Sequence, residues 1–189
     1  MQGCYECSDK EVTCPAYVET GASNWFPYSV NTRLIFYNNS LADTININSV
    51  EISDAYEDRV SARNPDCIAT KIWTSAELLS SGSPVLSIRS TQINNTYHPQ
   101  DSREDIHIRI KNVSFTGKGI SDTGLVETNF KSQFYSSLLL NGNTFMNIQV
   151  IEKDTSANKL PGVYKIWIAK HHGLLAYKEY PSNNLWIKQ

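Results

Sequence analysis

Asp105-Ile106-His107-Ile108-Arg109-Ile110-Lys111 alternates strictly between polar and apolar positions. A period of two puts Ile106, Ile108 and Ile110 on one face of a strand and His107, Arg109 and Lys111 on the other. Strand character extends in both directions from there. Thr32 to Tyr37 is a strand-like run closed by Asn38-Asn39-Ser40. Thr44 to Ile52 alternates too, but its apolar groups sit at 45 and 47 and then at 50 and 52. One phase shift of this kind predicts a β-bulge or a turn near Asn48-Ser49. Cys67 to Trp73 and Pro84 to Thr91 are further strands. Gln133 to Leu140 and Thr144 to Ile151 flank Asn141-Gly142, a pair suited to a type I′ hairpin because both central residues take positive φ. Val163 to Ile187 reads as a three-stranded meander. Thr74-Ser75-Ala76-Glu77 breaks the pattern with capping-box spacing. Leu78 and Leu79 follow it, and Gly82 and Pro84 end it, which predicts a helix of one to two turns. Roughly ten short strands between turn signals, with one short helix, predict an all-β fold. An antiparallel β-sandwich or a flattened barrel fits that pattern.

A chain of 189 residues can bury a full core in one domain. The expected organisation is a cysteine-containing N-terminal tail over 1–24 and a single domain over 25–189. Hydrophobic residues make up 40% and charged residues 19%, with a formal net charge of -2, too apolar and too neutral for wholesale disorder. The same near-neutrality removes the electrostatic drive for generic nucleic-acid binding, so no nucleic-acid partner is expected. No apolar run approaches the roughly 18 residues of a membrane span, which leaves a lipid anchor as the expected route to a membrane.

The cysteines bear on compartment. Cys4, Cys7 and Cys14 crowd the first segment and Cys67 lies far downstream. Cys4-x-x-Cys7 has the form of a zinc half-site, but Cys14 and Cys67 are not a matching close pair. Two disulfides drawn from Cys4, Cys7, Cys14 and Cys67, one of them tying the tail to the domain through Cys67, are the alternative. Disulfides place the protein in an oxidising compartment. Met1-Gln2-Gly3-Cys4 opens into polar sequence without a basic and apolar leader, so either the chain is cytoplasmic or a leader has been removed.

Catalytic constellations are absent from the pattern. There is no Gly-x-Ser-x-Gly elbow and no His-Glu-x-x-His, and Gly117-Lys118-Gly119 lacks the length of a phosphate loop. His171 and His172 are adjacent, so an extended chain points them to opposite faces. His98, Asp101, Glu104, Asp105 and His107 form a polar cluster without EF-hand spacing, with Arg103 among the acids, and read as a solvated loop entering a strand. In the C-terminal meander, Tyr164, Ile166, Ile168, Leu175 and Tyr177 are expected to share a core face. Lys165, Trp167, Lys178 and Tyr180 are expected on the other face, and Trp186 joins them if the Pro181–Asn184 turn has an odd loop. Trp167, Tyr180 and Trp186 are therefore the candidate surface for a sugar ring or a partner protein. No catalytic residue, metal ligand or cofactor is assigned.

Two segments resemble a known family. Trp25-Phe26-Pro27-Tyr28-Ser29-Val30-Asn31-Thr32-Arg33-Leu34-Ile35-Phe36 is similar to the opening of small lipoproteins of Bacteroidota-type bacteria. Tyr164-Lys165-Ile166-Trp167-Ile168-Ala169-Lys170-His171-His172-Gly173-Leu174-Leu175-Ala176-Tyr177, closing in Leu185-Trp186-Ile187, resembles their C-terminal ending. The resemblance covers both ends of the chain and implies removal of a signal peptide, a lipidated cysteine near the mature start, and an outer-membrane or periplasmic location in the cell envelope. Cys4 is the candidate anchor, an upstream cysteine the alternative. Together these readings predict a non-enzymatic interaction or accessory module of the bacterial envelope, facing an envelope protein or a glycan. A glycan-binding or glycan-cleaving sandwich and a cysteine-held zinc module are the alternatives.

Overall fold

A computed structural model describes residues 13–19, 21–58, 66–95, 102–126, 128, 130–153 and 161–189. The described elements are α1 (Gly21–Trp25), β1 (Arg33–Asn38), β2 (Leu41–Ile52), β3 (Tyr56–Asp58), β4 (Asp66–Ser75), β5 (Leu86–Asn95), β6 (Arg103–Ile110) and β7 (Val113–Lys118). They continue with β8 (Ile120–Ser121), β9 (Gly124–Leu125), β10 (Lys131–Leu140), β11 (Asn143–Glu152), β12 (Gly162–Ala169), β13 (Gly173–Tyr180) and β14 (Leu185–Lys188). The predicted all-β architecture is what forms, although the strands are more numerous than the turn signals suggested.

Two antiparallel meanders build the fold. β1–β7 form one, with β3 paired beside β4, and β10–β14 form the other. They join edge to edge where β1 meets β14, Phe36 opposite Lys188, giving a 12-stranded sheet. The sheet curls into a half-barrel. The small β8–β9 pair packs against β6, β7, β11 and α1 across the open side. The concave face carries alternate residues of nearly every strand, among them Leu34, Phe36, Ile45, Ile47, Trp73, Ile88, Ile108, Phe115, Ile166 and Tyr177.

A half-barrel leaves its concavity unfilled by strands alone, and the segment before β1 fills it. Ala22 and Trp25 on α1, then Phe26 and Tyr28, are all buried in the central cluster. Trp25 Nε1 donates to Ser121 O at 3.1 Å, so the plug also holds β8. Trp73 Nε1 donates to Tyr28 O at 3.1 Å. Leu174 N donates to the Tyr28 hydroxyl at 2.6 Å, beside Gly173, whose φ of +74° and lack of a side chain leave room for the phenol ring. Tyr28 and Leu174 thereby join the segment before β1 to β13.

Residues 13–19 lie over one end of the concave face, where that face turns polar. Cys14 bonds Cys67 across 53 residues of sequence. Tyr17 donates to Ser90 Oγ at 2.9 Å, and Gln92 holds both backbone groups of Val18, accepting from its N–H at 3.0 Å and donating to its carbonyl at 2.6 Å. Lys71 pairs with Glu19. The strap thus satisfies polar groups of β4, β5 and β6 that an apolar plug would leave orphaned. Residue 24, the last of the expected tail, lies within α1, and Tyr17, Val18 and Ala22 before it contact the sheet.

Several local expectations meet the structure closely. Ile106, Ile108 and Ile110 are buried while His107 and Arg109 face outward. The β2–β4 register shifts between Ile47 and Ser49, the bulge that the phase change demanded. Asn141 and Gly142 take φ of 49° and 80° between β10 and β11, as a type I′ turn requires.

The helix expected after Thr74 does not form. Thr74 and Ser75 end β4, Ser75 Oγ donates to Glu77 O and accepts from Leu86 N, and Leu78 bridges Pro84. The Glu77 carboxylate accepts from the Asn46 backbone and side-chain amides instead of closing a capping box. β4 is longer than its apolar run indicated, and pairing with β2 and β5 outweighs a local helix signal. Lys111 likewise leaves the β6 face and becomes a turn residue with φ of 51°.

Candidate functional site

The outward face of β10–β13 carries a second, smaller apolar cluster. Ile148, Val150, Ala169 and Leu175 are buried there, with Tyr135, Leu138, Leu140, Phe145 and Trp167 half-covering them. Antiparallel register explains the grouping: Val150 faces Trp167, which faces Ala176, and Gln133 faces Val150. Leu175 belongs to this cluster and not to the core face with Tyr177, contrary to expectation. The register shifts between Trp167 and Ile168, so Leu175 is the extra residue of a β-bulge, which turns Leu174 inward and Leu175 outward.

Trp167 sits on the outward face as expected. Lys165 Nζ lies 5.3 Å from the Trp167 ring centroid and 2.7 Å from Glu152 Oε2. Lys131, Gln133, Tyr135, Glu152 and Lys165 edge a hollow of 250 Å³ on this face. Tyr180 pairs with Gly162, four residues along β13 from the position facing Trp167 and beyond the Lys165–Lys178 pair. Trp186 is on the other face. It pairs with Tyr177, stacks on that ring at 6.0 Å, and donates through Nε1 to Glu179 Oε2 at 2.9 Å. The expected row of Trp167, Tyr180 and Trp186 is therefore not assembled, because the four-residue turn from β13 to β14 is even.

Trp186 instead belongs to a charged cluster at one end of the half-barrel. Lys111 Nζ lies 2.7 Å from Glu179 Oε1 and 3.1 Å from Asp43 Oδ2, over the rings of Tyr177 and Trp186. Tyr177 donates its hydroxyl to Asp43, and burial together with that carboxylate pushes the phenol well above its ordinary pKa. Every charge here has a partner, and the cluster ties the β6–β7 turn to β2, β13 and β14. Its role is closure of the sheet's end.

The β10–β11 hairpin runs on beyond its pairing with β12 and folds over the outward face, where Asn141 at its turn lines a hollow with Tyr37, Asn183 and Leu185. β11 pairs with β12 only from Ile148 onward, whereas its pairing with β10 continues to the Asn141-Gly142 turn. Pairing skips Ser136 and Asn147, where Asn147 takes φ of 53°. Beyond that point Leu138, Leu140 and Phe145 pack toward the outward cluster, and Phe145 meets the His172 ring edge-on at 5.4 Å. Leu139, Met146 and Phe134 remain 66%, 56% and 37% exposed. No charged residue occurs from Ser132 to Ile151. β10 also ends the sheet, so its outer row of amides and carbonyls has no strand partner among the described residues. By pattern alone the hairpin is ordinary sheet, and its run without charge after Lys131 is the local sign of an edge without the usual protective lysines or prolines.

The remaining candidates disperse. Glu104 turns inward to Tyr17 and Ser90, Asp105 pairs with Arg103 at 3.3 Å, and His107 faces outward. His98 and Asp101 lie outside the described residues, as do Cys4 and Cys7. His171 and His172 form the β12–β13 turn. The Cys14–Cys67 bond uses two of the four sulfurs that a zinc module needs. Among the described residues no three His, Cys, Asp or Glu side chains group as metal ligands. Comparison with protein-family models, with curated proteins and with solved structures finds no match.

Proposed function

We propose that this chain is an exported, non-enzymatic interaction module of a bacterial cell envelope, held at the membrane by a lipid on a cysteine near its start. The observation that carries the interaction is the β10–β11 hairpin, which leaves a sheet edge and exposed apolar side chains bare. An edge strand without charge beyond Lys131, with Phe134, Leu139 and the neighbouring Met146 exposed, is costly to leave bare in water, and folded proteins normally blunt such edges. A partner strand or apolar surface that covers it removes that cost. The Cys14–Cys67 bond supports an oxidising address. The lipid anchor rests on the family resemblance, with Cys4 or an upstream cysteine as acceptor.

A photoreactive residue placed at Leu139 in the native cell tests the reading. The expected result is a discrete crosslinked adduct that Met146→Lys abolishes and that the same probe at Ser81, in the exposed turn between β4 and β5, does not give. Equal labelling at both positions, or none at Leu139, overturns the hairpin as the contact surface.

A further inference from the structure

The outward face of β5–β7 carries a cationic patch that no stretch of the sequence displays. Arg89 on β5 lies directly opposite His107 on β6, and Arg109 is two residues along from His107 on the same face. Asp105 lies opposite Lys118 on β7. The row through His107 reads Glu51, Ile72, Arg89, His107, Thr116 across five strands, and the next reads Ser49, Thr74, Ser87, Arg109, Ser114. Asp105, two residues from His107 on the same face, pairs with Arg103 at 3.3 Å. Among the described residues Arg89, Arg109 and Lys118 form no ion pair. Like charges on adjacent strands repel, so this arrangement costs stability unless an anion sits across it. Burial and the two arginines together hold the His107 imidazole below its ordinary value, a sign of that uncompensated field.

We propose that Arg89, Arg109 and Lys118, with the hydroxyls of Thr91, Thr116, Ser87 and Ser114, bind the acidic groups of an anionic polysaccharide laid across β5–β7. The hollow beside His107, lined by Thr91, Asp105, Thr116 and Lys118, measures 230 Å³. That is below the roughly 300–1,000 Å³ of sites that enclose a whole small molecule, so it fits one substituent of a longer chain. Guanidinium forks recognise carboxylate and sulfate in two-point fashion, and the surrounding hydroxyls suit sugar hydroxyls. The rows through Arg89, His107 and Arg109 contain no Phe, Tyr or Trp on which a base could stack, which disfavours single-stranded nucleic acid. The patch lies in the meander remote from the β10–β11 hairpin and stands or falls independently of that hairpin's role.

The test is binding of the purified oxidised protein to dextran sulfate, polygalacturonate, neutral dextran and a single-stranded DNA. Both acidic polysaccharides should bind, neutral dextran should not, and affinity should fall steeply between about 50 mM and about 200 mM salt. The Arg89→Gln/Arg109→Gln double variant should lose about tenfold or more of that affinity while melting no lower than wild type in the absence of polysaccharide. Lys178→Gln, on the outward face of β13, should bind as wild type. Binding of one acidic polysaccharide alone identifies sulfate or carboxylate as the preferred group and still supports the site. The proposal is overturned if neither acidic polysaccharide binds, if Lys178→Gln weakens binding as much as the double variant, or if DNA is preferred.

Discussion

Tyr28→Phe removes one oxygen from the place where the plug meets the C-terminal meander. That oxygen accepts the Leu174 N–H at 2.6 Å, and both residues are buried. Water cannot take its place readily, because the phenol is pressed against Gly173: a Cβ there would lie 2.1 Å from the hydroxyl oxygen. The backbone N–H is therefore left unsatisfied, at a cost of about 1–3 kcal/mol. For a chain of this size each kcal/mol moves the melting temperature by about 2–4 °C, so the expected drop is about 2–12 °C. Differential scanning calorimetry at neutral pH measures it, with Tyr56→Phe at an exposed ring as the control. A second signature comes from titration. Burial holds the Tyr28 phenol above its ordinary value, so above pH 10 the unfolded chain releases a proton that the folded chain keeps. Wild-type stability should fall as pH rises past about 10, and Tyr28→Phe should fall less steeply. Gly173→Ala should be more damaging than Tyr28→Phe, since it combines a φ of +74° with the clash. A Tyr28→Phe variant within about 0.5 kcal/mol of wild type, the range of ordinary surface changes, would refute the account of how the two ends are joined.

Three other outcomes are expected. Gln149→Leu strips both backbone partners from Leu125, whose N–H and carbonyl meet the Gln149 amide at 2.8 and 2.7 Å. Two orphaned groups at about 1–3 kcal/mol each give a loss of about 2–6 kcal/mol in urea denaturation, with faster hydrogen exchange at Leu125; unchanged exchange there would count against the tether. Cys14→Ser opens a loop closed across 53 residues and should cost about 4 kcal/mol by loop entropy, and an unaltered urea midpoint would mean the strap contributes no constraint. Burial lowers the Lys188 amine to about 8, so the folded chain sheds that proton before the unfolded chain does. Its contribution to stability therefore rises from pH 8 toward the ordinary lysine value, and competitive acylation should show Lys188 half-reactive near pH 8; labelling that tracks the bulk lysines would contradict this.

The fold was legible wherever one face of a strand decided the pattern. Ile106, Ile108 and Ile110 declare their strand by period alone, and the bulge near Asn48 shows as a broken period before any pairing is known. Where a side chain's meaning depends on a distant partner, local reading failed. Glu77 has the spacing of a capping residue, yet Asn46 on a neighbouring strand takes its carboxylate. α1 gives no local signal, since Gly21-Ala22-Ser23-Asn24-Trp25 is too short and too poor in helix formers to form alone. It is held by the burial of Ala22 and Trp25. Leu175 leaves its expected face because it is the extra residue of a bulge, and Trp186 lies opposite Tyr177 because the turn before it is even; neither parity can be read locally. The cationic patch was invisible because register, and not sequence proximity, brings Arg89, Arg109 and Lys118 together. A net charge of -2 averages over that patch and hides it.

An exported chain with its strap bonded to the sheet is the claim on which the functional reading turns. Its most direct test is alkylation of intact native cells before lysis, followed by fractionation and mass spectrometry under non-reducing conditions. The account predicts recovery from the envelope fraction of a peptide pair joined through Cys14 and Cys67. Recovery of the chain from the cytoplasm with both cysteines alkylated would contradict it.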